Sequence, residues 1–256
     1  MGRMNLSKYK LPMDELPFGI KESLKEEIHN SEFSGFNNAY ELHTKGSFST
    51  GICKNNKGEM LVTCITEMPD VTPRMIDWWF GWHLPESERY QLWHPKAHVS
   101  SRLTQDNSHF TTDKEKYINI DSYVKEYIGK QLNVLCISFV EPKQFGFPEL
   151  NPDTETAICA HVKDLSKNIS IASITHLVSE SHQGSIMQSS FWLGMNLEHS
   201  NRVLNLLIKP LLNVSNIKAI FLTDKLALDL LAHCAEEMNH LPKFLPTLYM
   251  DFNKFK

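Results

Sequence analysis

The chain lacks the short signatures that most often settle a reaction class. It has no GxSxG nucleophile elbow, no glycine-rich phosphate loop and no HExxH pair, so serine-hydrolase, nucleotide-binding and zinc-peptidase readings lose their usual marker. No CxxC pair occurs either. The five cysteines, Cys53, Cys64, Cys136, Cys159 and Cys234, are odd in number, which argues against a disulfide framework or a thiolate zinc knuckle and fits a reducing compartment. No apolar run approaches the roughly 20 residues needed to span a bilayer. The opening MGRMNLSKYKLPMDELPFGI has no apolar signal-peptide core. A soluble, cytoplasmic protein is therefore expected. The formal net charge of -4 is small, so nothing suggests a nucleic acid or an anionic membrane as partner. Internal repeats and low-complexity stretches are also missing.

What is present is an ordinary globular composition, 41% hydrophobic over 256 residues, enough for one large domain with a core and a small appendage. Residues 1–45 read as an N-terminal extension with one short helix over 19–29, and 46–256 as the main body. SFSTGICK and EMLVTCITEM are β-rich runs joined by turn residues, and read as a hairpin. Thr72 followed by Pro73 is a helix start, a cap and then proline at the first helical position. Strands are expected over 131–142, 154–165, 168–181 and 184–195. No helix-length segment separates them, so the sheet should be antiparallel. The last third turns helical. A helix over 201–213 is interrupted by Pro210. A longer one over 222–241 is capped by Thr223 and carries Leu226, Leu230, Leu231 and Cys234 near a helical period. An antiparallel sheet curved around a long C-terminal helix is an α+β helix-grip, which leaves a cavity between the two.

Twelve histidines are a rich supply, but placement matters more than number. His233 and Glu237 are four residues apart, which puts both side chains on one face of the last long helix, one turn apart. Such a pair can offer a metal a two-pronged grip; it is equally the spacing of a solvated helical ion pair. Glu236 falls on another face, where solvation is expected. Tyr90-Gln-Leu-Trp-His94-Pro-Lys-Ala-His98 concentrates two histidines and aromatic rings behind the tryptophan-rich helix, and an aromatic packing corner explains it as readily as a metal site. Glu126, placed in the turn before strand 131–142, has no special signal of its own.

The segments WWFGWH, YxLWHPxxH, ExIG, SxFWLG and HCxEEM occur in this order over roughly residues 75–240. In them the sequence resembles the family of 2,4-diacetylphloroglucinol hydrolases and phloretin hydrolases. The resemblance implies a helix-grip fold of the START-like, birch-pollen-allergen-like kind, with a helical N-terminal addition used for homodimer contacts. It implies a zinc ion, Zn2+, held by His98, Glu126, His233 and Glu237, with His94 the less favoured alternative to His98. The family's substrate-binding tyrosine falls on Tyr90 and its strand histidine on His176. A family asparagine falls on Ser101, and a second family tyrosine falls near Phe191 or Trp192. These two departures bear on which acyl phenol is the substrate more than on the reaction.

The implied activity is hydrolysis of the carbon–carbon bond between an acyl group and a phloroglucinol-type ring. Zinc suits the attack of water on an unreactive carbonyl, and two carboxylates temper its acidity, leaving one glutamate, Glu126 or Glu237, free to share a proton. Tyr90 and His176 are the candidates for binding the phenolic oxygens and relaying protons. Trp78, Trp79, Trp82, Phe191 and Trp192 could line an apolar slot for the flat ring. Three rivals stand beside this reading: a non-enzymatic helix-grip carrier of phenolic ligands, a hydrolase acting on another bond, and a closed structural metal site. Acetyl and arylpropionyl groups both fit, and the same ligands suit zinc, iron or manganese.

Overall fold

The computed structural model describes residues 5–45 and 48–253. The expected boundary between residues 45 and 46 falls at Gly46 and Ser47, outside the described residues. In chain order the elements are α1 (Phe18–Ser23), β1 (His29–Asn30), α2 (Ala39–Thr44), β2 (Gly51–Lys54), β3 (Met60–Pro69), α3 (Pro73–His83) and α4 (Ser87–Trp93). Then come β4 (His98–Leu103), β5 (Asp121–Ile128), β6 (Gln131–Val140), β7 (Glu155–Asp164), β8 (Ile169–Ser181) and β9 (Gly184–His199). The chain closes with α5 (Arg202–Leu212), α6 (Ser215–Phe221), α7 (Asp224–His240) and α8 (Leu245–Phe252).

All nine strands of the described residues form one sheet in the order β1-β2-β3-β9-β8-β7-β6-β5-β4. Every pairing is antiparallel except β1 with β2. That exception corrects the expected helix over 19–29. The helix ends at Ser23, and Lys25, Glu26 and Glu27 are exposed, so no apolar stripe carries it further. The chain instead extends to the sheet edge. Leu6, Tyr9 and Ile20 of this N-terminal segment are buried in the same core as the body.

The central strands alternate imperfectly in sequence because both faces of the sheet are covered. On β7, Ile158, Ala160 and Val162 belong to the core shared with α3 and α7, while Ala157 and Cys159 belong to a second cluster with Phe145, Phe147 and Trp192 on the other face. α7 lies across the first face and packs on β3 and β5, which is the helix-grip arrangement. Gly129, in the β5–β6 turn, makes the close approach possible. It has φ +59°, and a Cβ there would lie 2.2 Å from Asp229 Oδ2 on α7. Thr223 caps α7 through Leu226 N at 3.1 Å, and Thr72 caps α3 through Met75 N at 3.3 Å with Pro73 next. Pro210 does not interrupt α5: the helix runs through it to Leu212, and the break follows at Asn213 and Val214, where α5 and α6 bend by 103°. Among the described residues no single helix is long and apolar enough to cross a membrane.

Candidate metal centre and cavity

Three elements bring the candidate ligands together. α4 ends at Trp93, and the His94 carbonyl accepts from Ala97 N at 3.1 Å and His98 N at 2.9 Å. That turn delivers His98 to the start of β4. His98 then pairs directly with Glu126 across the β4–β5 ladder, beside a register shift between His98 and Ser100. Glu126 thus lies within β5 and not in the turn where the sequence placed it; the turn begins one residue past Ile128. α7 supplies His233 and Glu237 one turn apart, both buried.

The donor atoms of His98, Glu126 and His233 lie within 4.8 Å of one another, a group that could hold a metal ion. Glu237 Oε2 joins them, 3.3 Å from His98 Nε2 and 3.8 Å from His233 Nε2. The tautomer of His98 is set by its other nitrogen, because Nδ1–H donates to the Tyr90 carbonyl at 3.0 Å. Nε2 therefore presents a lone pair, and among the described residues it is buried with no hydrogen-bond partner. A buried imidazole lone pair facing carboxylate oxygens sets acceptor against acceptor; a proton taken up by a glutamate relieves one such contact, and a cation satisfies all of them at once. The donor set therefore fits a divalent metal with nitrogen and oxygen preference.

The electrostatics agree. Burial lowers both His98 and His233 to about 4, so both imidazoles are neutral, as ligands must be. Burial raises Glu237 to about 7, the shift expected of a carboxylate deprived of water. The Tyr90 hydroxyl donates to Glu126, and its ring lies flat on His98 with centroids 3.8 Å apart. Burial first, and Glu126 next, push the Tyr90 phenol well above its ordinary range, so it stays a donor.

His94 takes a different part. Its Nε2 meets Glu236 Oε2 at 2.9 Å, and its ring stacks on His233 at 4.9 Å. It braces the ligand helix, while His98 aims into the cluster. Glu236 is correspondingly not simply solvated, and the His94 hydrogen bond lowers its pKa.

A cavity opens from the cluster between α7 and the sheet, with Tyr90, Glu126, His233 and Glu237 in its wall. His176 and Phe191 also face it. His176 accepts from or donates to Ser189 Oγ at 2.8 Å through Nδ1, and its ring meets Phe80 and Phe191. Burial holds it at about 3, hence neutral.

Other expected contacts are not brought to this cavity. Trp192 faces the opposite side of the sheet because neighbouring strand residues alternate; it packs with Phe145 and donates Nε1–H to the Ser34 carbonyl at 2.9 Å. The Ser101 hydroxyl is buried and donates to the Leu84 carbonyl at 2.7 Å, so it is spent inside the fold. Trp78 and Trp82 stack on each other and turn to Tyr249 and Phe252, and Trp79 packs against Phe244 and Trp93. Of the five rings expected, Phe191 does line the cavity, and Phe80, Trp93, Phe139 and Phe221 stand with it.

Sequence reasoning missed His83. It is buried, lines the cavity and stacks near Tyr90 at 6.0 Å, with Nδ1–H donating to the Trp79 carbonyl at 2.7 Å. Burial lowers it to about 3. Helical spacing held the signal, since Phe80 and His83 share one face of α3 and Leu84, its C-cap, continues it.

Comparison with known proteins gives the chain a family. Residues 34–250 match the model of the DAPG hydrolase PhiG domain. Phloretin hydrolase from Eubacterium ramulus is 28% identical over 203 residues, covering 76% of this chain and 69% of that protein. The 2,4-diacetylphloroglucinol hydrolase of Pseudomonas protegens is 32% identical over 202 residues, covering 72% of this chain and 62% of that protein. The matches thus span about two thirds of the relatives' own length. Among solved structures, Ara h 8.0201 has a TM-score of 0.42 and 10% identity, covering 73% of this chain and 99% of that one. The family match spans β2 to β9, α7 and all four converging side chains, and the chain belongs to the DAPG hydrolase PhiG domain family.

Proposed function

We propose that the protein hydrolyses the carbon–carbon bond between an acyl group and a phloroglucinol-type ring, using a zinc ion held by His98, Glu126, His233 and Glu237. The observation that supports this most is the unpartnered Nε2 of His98, aimed at two glutamates and a second imidazole that themselves stand in the wall of a largely apolar cavity. In the reaction, water adds to the acyl carbonyl carbon. The bond from that carbon to the ring breaks, its electron pair passes to the ring carbon, and that carbon takes up a proton. The products are a carboxylic acid and the deacylated phenol. A metal bound by the four side chains supplies Lewis acidity toward oxygen.

The chain's own groups do the rest. Tyr90, protonated and hydrogen-bonded to Glu126, fixes that carboxylate and can pass a proton through it. His83 and His176, both neutral, each keep one nitrogen for a phenolic hydroxyl or a proton in transit. The apolar walls exclude water from the ring as it accepts the electron pair.

Incubating metal-loaded protein with diacetylphloroglucinol and with phloretin tests the reading. The expected result is release of a carboxylic acid and the deacylated phenol in equal amounts from at least one of them. Protein that binds one metal per chain and releases no acid from either, nor from longer-chain acylphloroglucinols, is a carrier or a structural metal protein, and the proposal fails.

A further inference from the structure

The cavity floor is segregated by chemistry. Across β6, β7, β8 and β9, Ile137, Val162, Ala172 and Leu193 stand in one directly paired row. Phe139, Ala160, Ile174 and Phe191 form the adjacent row in the same way. All eight face the cavity and none is polar. The rows on either side contain polar groups: His176 pairs with Ser189 on one flank, and Asp164 pairs with Ile169 on the other. Three strand spacings make the strip about 14 Å long. It begins on β6, the strand beside that of Glu126, and runs across the sheet away from β5 and β4, which carry Glu126 and His98.

α7 repeats the division from above. Leu226, Leu230, His233 and Glu237 all line the cavity, and their spacing places them along one helical face. The stripe is ligand-bearing at its C-terminal end and hydrocarbon at its N-terminal end, about 16 Å away. Ile137, Ala172, Ile174, Leu226 and Leu230 are only partly buried although they point between helix and sheet. Apolar groups on inward faces normally lose nearly all their exposure, so this surface awaits a cover.

We infer that the acyl group of the substrate is an extended hydrocarbon chain lying along this strip beneath Leu226 and Leu230, an inference that rests on the hydrolase reading above for which end is the carbonyl. An acetyl group leaves the strip bare. An arylpropionyl group with a hydroxyl at its tip sets that hydroxyl among side chains that can neither donate nor accept. A saturated chain meets only carbon.

A series of acylphloroglucinols bearing acetyl, butanoyl, hexanoyl and octanoyl chains tests this on metal-loaded protein, with Kd from calorimetry and kcat/KM from phenol release. Burying each methylene is worth about fourfold in Kd, so affinity and kcat/KM should both climb with chain length until the strip is filled. Ala172→Phe, which occupies the middle of the strip, should cut the octanoyl-to-acetyl ratio by about tenfold or more. A flat or falling series overturns the inference, as does an unchanged ratio in Ala172→Phe. The series itself needs no variant to fold. Chain-length-dependent binding without any acid release leaves the strip standing as a hydrocarbon-binding site and sinks the hydrolase reading. Hydrolysis without chain-length dependence does the reverse, and a protein that neither binds nor cleaves the series contradicts both.

Discussion

Acidifying the metal-free protein from about pH 7.5 to about pH 5 should destabilise it through its buried histidines, which include His43 and His240, held at about 4, and the cavity pair His83 and His176. Burial holds His83 and His176 at about 3 in the folded chain, against an ordinary value of 6.5. A histidine with a depressed folded pKa contributes stability that is complete above 6.5 and is lost as the pH falls toward about 3, because the unfolded chain takes the proton first. At pH 5 the cost is about 2 kcal/mol for each imidazole, or about 4 kcal/mol together. In a chain of this size that pair alone lowers Tm by about 10 °C, and His43 and His240 lower it further. Glu237 acts in the opposite sense: its folded pKa is raised to about 7, so its contribution grows as the pH falls. It sits within 3.8 Å of both ligand imidazoles, so those three groups titrate together and are left out of the sum. Thermal melts of chelator-treated protein across this range, with His176→Gln beside the parent, provide the check. The variant can still bond Ser189 but cannot titrate, and its pH dependence should shrink by about 2 kcal/mol. An identical pH dependence in both proteins would refute the buried, neutral imidazole.

Other substitutions separate the roles of particular side chains. Tyr90→Phe keeps the ring on His98 but removes the hydroxyl from Glu126, and should weaken metal binding by about 10- to 100-fold in a chelator competition. Trp192→Phe should leave acid release unchanged while costing about 1 kcal/mol in denaturant melts, because its lost bond to Ser34 lies on the far face of the sheet. Lys218→Met should cost about 3–5 kcal/mol in the same melts: the buried Glu59 carboxyl, bonded by Lys218 at 2.8 Å and Asn55 at 2.9 Å, would lose its cationic partner.

The long elements were legible in the sequence because they satisfy their own local rules. Thr72–Pro73 and Thr223 begin helices where capping chemistry says they should, and β6 to β9 are long β-rich runs between turn residues. β4 and β5 were not legible. Each is short and polar on one side, and Ser101, Ser122 and Glu126 look like surface residues until the ladder buries them. The same blindness applied to the site. His233 and Glu237 share a helix, so their spacing alone joins them, whereas the pairing of His98 with Glu126 is a sheet register that the resemblance supplied and local pattern did not. Trp192 and Ser101 went astray for a related reason. Matching positions to a motif does not say which face of a strand a side chain takes, or that a hydroxyl is already committed to Leu84.

The most direct measurement is metal content together with turnover in the parent, His98→Ala and His233→Ala. One zinc per chain and release of carboxylic acid from an acylphloroglucinol are expected in the parent, and both should be lost in each variant while the fold, read by circular dichroism, persists. Undiminished acid release from variants that bind no metal would contradict the account.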